Sequence, residues 1–348
     1  MKIHRLLAVF AVVATLGPAR ARAADDRALS PQLLREGIRW PGEGGRRIQV
    51  SLAIYLVGFA RINLREESFD MAGYLDTAWV DPGLKLEGAE ARKQTRRFRP
   101  SQVWTPALEF INAAEQVNSE REGDVYVDDG GRASQRVRFS HRFQSPMDLK
   151  RFPFDSQTLE IEVGPFDPFA RDLEFVVDQG RVGRLDDASV TDWDIVRIAA
   201  GMEPQPEGKE EIRFLFTIQV ARRSTFYVWR VLMPITLLIF ASWIVFWFEP
   251  TNLQPQISTG LAILLSLVTF TYAVDFSLPK VAYLTFIDRY TLTAFSIVLA
   301  TLLTVSVVHV VGRARGVEAA LKIQRVARFA FPAAYLAVLG VITRLSFV

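Results

Sequence analysis

Cysteine is missing altogether from the 348 residues of the chain. Without thiols the chain has no disulfide bond, no thiolate metal site and no cysteine nucleophile. Histidine is scarce, and the three that occur, His4, His141 and His309, do not have the spacing of metal ligands. Long basic runs are also missing, although the formal net charge is +3, so no nucleic-acid surface is predicted. A hydrolase needs a nucleophile with its base, or a metal cluster, so we expect no enzyme, no metal and no cofactor.

Apolar residues, in contrast, make up 50% of the chain, and the excess lies in the last third. Four segments there are long and apolar enough to cross a membrane as helices. Pro234 lies inside the first of them, where a membrane helix tolerates proline better than a soluble helix does. The sequence predicts a four-helix membrane domain over residues 224–348, with helices at about 226–248, 256–276, 286–311 and 325–348.

The N-terminus has the pattern of a secretory signal. A basic start precedes an apolar run over residues 6–16, and Ala21 and Ala23 supply the small residues that signal peptidase reads. We predict a signal peptide over residues 1–23. The alternative, an uncleaved anchor, is disfavoured because the run is too short to span a bilayer. The polar extension that follows, residues 24–47, indicates no role.

From Ile48 onward the pattern changes to a period of two. Apolar side chains alternate with polar ones in several stretches, which is typical of strands with one buried face. Turn residues such as Asp129-Gly130-Gly131 separate them. We predict an immunoglobulin-like antiparallel β-sandwich over residues 48–223. The alternating positions are Ile48, Val50, Leu52, Ile54 and Leu56; Val137, Phe139, His141 and Phe143; Leu159, Ile161 and Val163; and Ile212, Phe214, Phe216, Ile218 and Val220. On such a face, His141 is more often a core or subunit-contact histidine than a proton sensor.

Loop charge indicates the orientation in the membrane. A signal peptide places the β domain outside, and alternation of the helices then places the connection over residues 312–328 in the cytoplasm. This connection is basic, as the positive-inside rule expects. We therefore predict a multi-pass protein of the cell membrane with its β domain on the periplasmic or extracellular side. The cations are Arg313, Arg315, Lys322, Arg325 and Arg328, against Glu318 alone.

The second apolar segment is amphiphilic. At 100° per residue its hydroxyl-bearing residues fall on one stripe and its larger apolar residues on the opposite side. Two interpretations are open: a face turned to water and ions, which needs several copies around an axis, or a bundle helix whose hydroxyls bond back to the preceding turn. The stripe contains Ser258, Ala262, Leu265, Thr269 and Tyr272, and the opposite side contains Ile263, Leu264, Leu267, Phe270 and Val274.

Ordered motifs accompany this arrangement of a β domain and four helices. One motif is residues 150–159, which read Lys-Arg-Phe-Pro-Phe-Asp-Ser-Gln-Thr-Leu. The others are Trp79-Val80-Asp81, Trp104-Thr105-Pro106, Pro234 and Leu278-Pro279-Lys280. From residue 48 to the C-terminus the chain resembles the pentameric ligand-gated ion channels, the Cys-loop receptor superfamily. Where many animal members carry the two loop cysteines, it has Ser145 and Leu159. That departure and the short connection between the last two helices resemble the bacterial branch, which implies the bacterial inner membrane.

The resemblance implies a homopentamer with the stripe lining a pore for ions. Leu265 would form an apolar gate, and Tyr272 would either form a second constriction or lean onto a neighbouring helix. Cation-conducting relatives carry carboxylates where this chain has Gln254, Pro255 and Gln256, so only Glu249 and Asp275 favour cations, and only slightly. The alternative function is a membrane-anchored periplasmic sensor that binds a ligand without conduction.

The resemblance also implies residues that couple ligand binding to the pore. They are Glu66, Glu67, Phe152, Pro153, Phe154, Asp155, Arg222, Pro279 and Lys280. Asp155 and Arg222 are expected to pair, either as structural support or as part of gating.

Tyr74 and Phe166 match two positions of the family's aromatic ligand-binding site, although Ile111 stands at a third; plain packing is the alternative for both aromatics. Acidic loops at Asp186-Asp187 and over residues 207–211 could instead bind protons, calcium or a cationic ligand, although carboxylates in loops are usually just solvated, so the agonist is not specified. The expected partners are further copies of the chain, membrane lipids, a small ligand or protons, and permeating ions.

Overall fold

A β domain followed by four long helices makes up the chain in the computed structural model. The signal peptide and nearly all of the extension over residues 24–47 lie outside the described residues. The structure describes residues 41–42, 47–86, 95–116, 123–166, 173–186, 188, 190–203, 213–275 and 281–347.

The β domain is a sandwich of two sheets, as predicted. The larger sheet has the order β10-β1-β2-β7-β6-β3, with β5 beside β7 and β9 beside β1, and the smaller has the order β11-β12-β8-β4. Paired strands are antiparallel, except that β9 and β10 each pair with β1 in the parallel direction. The strands are β1 Ile48–Asn63, β2 Ser68–Val80, β3 Arg96–Phe98, β4 Leu108–Phe110, β5 Ala113–Gln116, β6 Val125–Val127, β7 Arg132–Gln144, β8 Ser156–Pro165, β9 Leu173–Val177, β10 Gly183–Arg184, β11 Trp193–Met202 and β12 Phe214–Arg222.

The core of the sandwich forms from the alternating apolar positions. In β1 the side chains from Ile48 to Leu56 that share one face are buried, and Phe214 to Val220 in β12 face them in the same way. Ile212 lies outside the described residues. His141 is buried in this core, with its ring centre 5.0 Å from that of Phe110. Its position fits the interpretation as a core histidine.

Four helices form the second part, and each is long and apolar enough to cross a membrane. They are α1 Thr225–Trp247, α2 Leu253–Asp275, α3 Phe286–Arg315 and α4 Val317–Phe347. The wide π turn Val228–Leu232 in α1 ends two residues before Pro234, whose missing N–H interrupts the regular hydrogen-bond ladder. The side chain of Thr285 caps α3 by accepting from the Asp288 amide, and the Asp288 carboxylate accepts from the Thr285 amide.

The connection between the last two helices differs from the prediction. A loop over residues 312–328 and a helix starting at about 325 were expected, but only Gly316 separates α3 from α4, which begins at Val317. The first turns of α4 are too polar to be recognised as part of a membrane helix by hydropathy. They are nevertheless rich in good helix formers such as Ala, Leu, Lys and Gln. The helix therefore extends beyond its apolar part. In the same way, α2 begins at Leu253 rather than at 256.

Gly316 permits this tight connection because of its backbone conformation. Its φ of 89° and ψ of 164° lie in a region that essentially only glycine adopts. We expect Gly316→Ala to destabilise the membrane domain by about 1–3 kcal/mol, measured as a lower Tm of the detergent-solubilised protein. Gly340→Ala, inside α4 where an added Cβ meets nothing within 4 Å, is the matched control. It should raise stability by about 0.5–1 kcal/mol, and equal shifts in the two variants would contradict the argument.

Candidate functional site

The predicted stripe of α2 is exposed along the whole helix. Ser258, Ala262 and Thr269 are exposed, and Leu265 and Tyr272 keep 67% and 66% of their surface. The opposite side packs against the other helices through Ile263, Leu264, Leu267, Phe270 and Val274. One apolar helix thus presents both hydroxyls and a large leucine to the outside of the protomer.

The hydroxyls on α2 donate to carbonyl groups of the preceding turn. Thr269 Oγ1 donates to the Leu265 carbonyl at 3.0 Å, and Ser266 Oγ donates to the Ala262 carbonyl at 2.8 Å. Ser258 Oγ lies 3.3 Å from the Pro255 carbonyl. The back-bonding of the second interpretation is therefore present, but it uses only the hydroxyl proton. The hydroxyl oxygens of these exposed residues can still accept hydrogen bonds.

The residues at the start of α2 have separate roles. Gln256 is buried, and its side-chain amide donates to the Glu249 carbonyl at 2.7 Å, so it holds the loop after α1. Gln254 and the Glu249 side chain are exposed. Beyond the other end of α2, Pro279 and Lys280 lie outside the described residues, as does the side chain of Asp275.

Asp155 and Arg222 form a buried ion pair where the β domain meets the helices. Arg222 Nε donates to Asp155 Oδ1 at 2.7 Å and Nη2 donates to Oδ2 at 3.0 Å, a bidentate geometry. The side chains expose 3% and 0% of their surface. Gln157 Nε2 also donates to Asp155 Oδ2, at 2.7 Å. The expected pair is therefore present, and it is fully removed from solvent.

Aromatic rings enclose the guanidinium of Arg222. Its Cζ lies 4.0 Å from the ring centre of Trp193 and 4.8 Å from that of Phe152. Phe152 in turn makes an edge contact with Tyr227 in α1, at 4.8 Å between ring centres. Trp193 lies on β11, whereas Arg222 lies on β12. Trp193 was not among the predicted residues, because nothing in its local sequence pattern indicates this contact. The pair is thus desolvated on several sides.

An exposed ion pair lies next to the buried one. Arg223 Nε donates to Asp194 Oδ1 at 2.9 Å, and both side chains are more than half exposed. This hydrogen bond to Arg223 lowers the pKa of the Asp194 carboxyl below its usual range. The two pairs have the same chemistry but opposite solvent exposure.

The turn before β8 touches three parts of the membrane domain. The Leu149 amide donates to the Tyr283 hydroxyl at 2.9 Å, and the Phe286 amide donates to the Lys150 carbonyl at 3.0 Å. The Phe154 ring lies 5.5 Å from that of Phe286 and 6.0 Å from that of Phe347 at the end of α4. Contact with the segment before α3 was expected at Pro279 and Lys280, which lie outside the described residues. Tyr283, Phe286 and Phe347 were not predicted.

The loop between β1 and β2 reaches the same junction through Leu64. This side chain packs against both the sandwich core and the helix core. Asn63 Oδ1 accepts from the backbone amides of Arg65 and Glu66 and so holds the turn. Glu66 and Glu67 are exposed, and neither forms an ion pair with the described part of the membrane domain.

Tyr74 and Phe166 lie on different sheets of the protomer. Tyr74 is half-buried in β2, and the Cζ of Arg136, which is paired with Asp76, lies 5.3 Å from its ring centre. Phe166 follows β8 and is 58% exposed. The protomer does not bring these two aromatics together, so a shared site would need two subunits. Asp187 and the acidic residues 207–211 lie outside the described part of the chain.

The two tryptophan motifs belong to the sandwich core. Trp79 and Trp104 make an edge-to-face contact with ring centres 5.7 Å apart. Asp81 accepts from the Gly83 amide at 2.9 Å and caps the short 3₁₀ turn Pro82–Leu84. Burial raises the pKa of its carboxyl, and the Gly83 amide opposes that shift.

Known proteins resemble the chain across both of its parts. The family described as neurotransmitter-gated ion-channel ligand binding domain matches residues 34–223. A proton-gated ion channel of Gloeobacter violaceus is 27% identical over 295 residues, which cover 83% of this chain and 80% of the relative. Gamma-aminobutyric acid receptor subunits beta of Lymnaea stagnalis and Caenorhabditis elegans are 23% and 24% identical and cover 77% and 83% of this chain. The matches span 57% and 54% of those two subunits.

Proposed function

The chain belongs to the family of pentameric ligand-gated ion channels, which are not enzymes, and from this membership we propose that five copies form a homopentameric pore opened by an extracellular ligand or by protons. One observation carries the proposal: α2 leaves its hydroxyl-bearing stripe exposed while its other side is packed. Hydroxyls facing lipid would be poorly solvated. Five helices around an axis would give them water and ions instead.

Within this pore, Leu265 is the proposed gate. It is the largest apolar side chain near the middle of the stripe, with Ala262 and Thr269 on either side. A ring of five leucines narrows the path and repels water, so a small inward movement closes it by dewetting. Tyr272 would lie closer to the outer end, and Ser258 closer to the inner end.

Cations are the proposed ions, with a slight preference over anions. The hydroxyls of Ser258 and Thr269 donate their protons to the helix backbone, which leaves their oxygens as acceptors. Oxygen lone pairs solvate cations. Glu249 is exposed and adds negative charge near the inner end. Reversal potentials in asymmetric salt test the sign of the permeating ion.

The trigger acts on the β domain, on the periplasmic or extracellular side of a bacterial inner membrane. The relative from Gloeobacter violaceus is described as proton-gated, which supports protons as one candidate. A small ligand held between Tyr74 of one subunit and Phe166 of the next is the other. Movement of the β domain would reach the helices through Phe152 to Asp155, Arg222 and Leu64, with Glu66, Glu67, Pro279 and Lys280 as further proposed coupling residues.

Thiol accessibility tests the pore assignment directly. Because the chain has no cysteine, each introduced thiol is unique. We expect Ser258→Cys, Leu265→Cys and Thr269→Cys to react with a charged aqueous reagent and to block current, since these positions would line water. Ile263→Cys, on the packed side of α2, is the matched control and should react much more slowly. Equal rates at all four positions, with no ligand-gated or proton-gated current, would favour the non-conducting sensor.

A further inference from the structure

A cleft opens at one side of the β-sandwich, where the edge strands of the two sheets meet. β10 is the edge strand of the larger sheet there, and β11 is the edge strand of the smaller sheet. The cavity between them has a volume of about 260 Å³. It shares no residue with the pore stripe, with the Asp155–Arg222 junction or with the predicted aromatic site. The lining residues include Val182 and Arg184 on one side, and Ile195, Val196, Arg197 and Ile198 of β11 on the other.

An irregularity in β11 keeps the two sheet edges apart. The register with β12 shifts between Ile195 and Arg197, so Val196 is an extra residue with no partner on β12. Such a bulge bends the strand and increases its twist. Val196 exposes 66% of its surface at the opening. Because β10 is only two residues long, the edge of the larger sheet does not cover the bulge.

The inner wall of the cleft is apolar. Val182, Ile195 and Ile198 are half-buried, and all three pack against the core of the sandwich. The part of their surface that remains open faces water. Covering it with an apolar group is favourable, since apolar surface is then removed from water. The cavity therefore suits the apolar body of a ligand.

Two arginines stand at the rim of this apolar wall, and both are exposed. Arg184 Nη1 lies 3.4 Å from the Ile195 carbonyl, a contact that joins the two sheet edges and uses only one of the five guanidinium N–H donors. The side chain of Arg197 has no hydrogen-bond or ion-pair partner among the residues that the structure describes, and Arg184 has no carboxylate partner among them. Two cations beside one cavity repel each other, so an anion between them is favoured.

We propose that this cleft binds a small organic acid, whose carboxylate pairs with Arg184 and Arg197 and whose apolar body covers Ile195 and Ile198. Guanidinium groups bind carboxylates with strong, charge-assisted hydrogen bonds. The volume lies just below the range of about 300–1,000 Å³ that is usual for ligand pockets, which limits the apolar body to about the size of one benzene ring. Inorganic phosphate would satisfy the arginines but would leave the apolar wall open. The proposal rests on the cleft alone and not on conduction.

The test is fluorine NMR of para-fluorobenzoate with the full-length protein in detergent. We expect saturable broadening of the ligand signal, and Arg197→Gln should weaken binding by about ten-fold. This variant removes no contact within the described residues, so it should fold normally. Arg181→Gln is the matched control, because Arg181 is an exposed arginine of the same segment that pairs with Asp178 and does not line the cleft. No saturable binding to the wild type, or equal affinity in Arg197→Gln, would overturn the proposal.

Three further measurements separate the alternatives. Trifluoroacetate has the charge with little apolar surface, and para-fluorobenzyl alcohol has the ring without the charge, so each should bind at least ten-fold more weakly than para-fluorobenzoate. Val196→Trp places a large ring over the opening and should abolish binding, although both arginines remain. Trifluoroacetate binding as tight as that of para-fluorobenzoate would show only a surface that attracts anions. Unchanged binding in Val196→Trp would place the acid elsewhere, and either result would overturn the proposal.

Discussion

Asp155→Asn is expected to cost about 3–5 kcal/mol of stability, because it leaves the Arg222 guanidinium buried without its counter-ion. The loss should be visible as a large fall in the Tm of the solubilised protein. Asp194→Asn is the matched control. Asp194 pairs with Arg223, the residue after Arg222, and this second Asp–Arg pair is exposed to water. Surface pairs contribute little, so the control should keep the wild-type Tm. Similar Tm values for the two variants would show that the buried pair does not stabilise the junction.

A double variant distinguishes structural support from gating. Asp155→Asn/Arg222→Gln removes both charges, so no unpaired charge is left in the interior, and we expect much of the lost Tm to return. If the double variant conducts and its response to the trigger is unchanged, the pair is structural. We expect a weakened response instead, because the pair joins the turn before β8 to the strand that leads directly into α1.

Leu265→Thr is expected to hold the pore open without a trigger. The substitution removes apolar surface worth about 1 kcal/mol per copy and adds a hydroxyl that binds water. Over five copies the change approaches the roughly 5.5 kcal/mol that takes a two-state equilibrium from 1:99 to 99:1. Basal ion flux from proteoliposomes should therefore rise by about ten-fold or more.

Leu303→Thr is the control for this experiment. Leu303 lies on α3, is 60% exposed against 67% for Leu265, and receives the same substitution. Its exposed side is not part of the stripe on α2, so basal flux should stay at the wild-type level. Equal leaks from the two variants would indicate general damage to the bundle. No leak from either, with normal amounts of protein in the vesicles, would place the gate elsewhere.

Periodicity accounts for the parts of the structure that the sequence predicted well. In β1 the alternating apolar positions of one face are all buried, and in α2 one side is packed while the other is exposed, so the side-chain pattern repeats with the geometry of the backbone. The pairing of Asp155 with Arg222 was expected only from the resemblance. The structure adds what no local pattern contains, namely which residues far apart in sequence are in contact.

The junction and the fourth helix show why the rest was not predictable. Trp193 meets Arg222, and Tyr283 and Phe347 meet the turn before β8, only after the chain has folded. Each of the three is an ordinary aromatic in its own segment. The start of α4 was placed too late because hydropathy measures apolar length, whereas helix formation depends on propensity. A charged, alanine-rich segment is a good helix former without being apolar.

The hairpin of α3 and α4 has a mechanical consequence. Both of its open ends meet Phe154, through Phe286 and Phe347, while its closed end at Gly316 is about 45 Å away, given the rise of 1.5 Å per residue in α3. A tilt of about 5° around Phe154 would therefore displace Gly316 by roughly 4 Å. The β domain thus contacts one end of a long rigid hairpin, and a small rotation at that contact is amplified at the far end of the two helices.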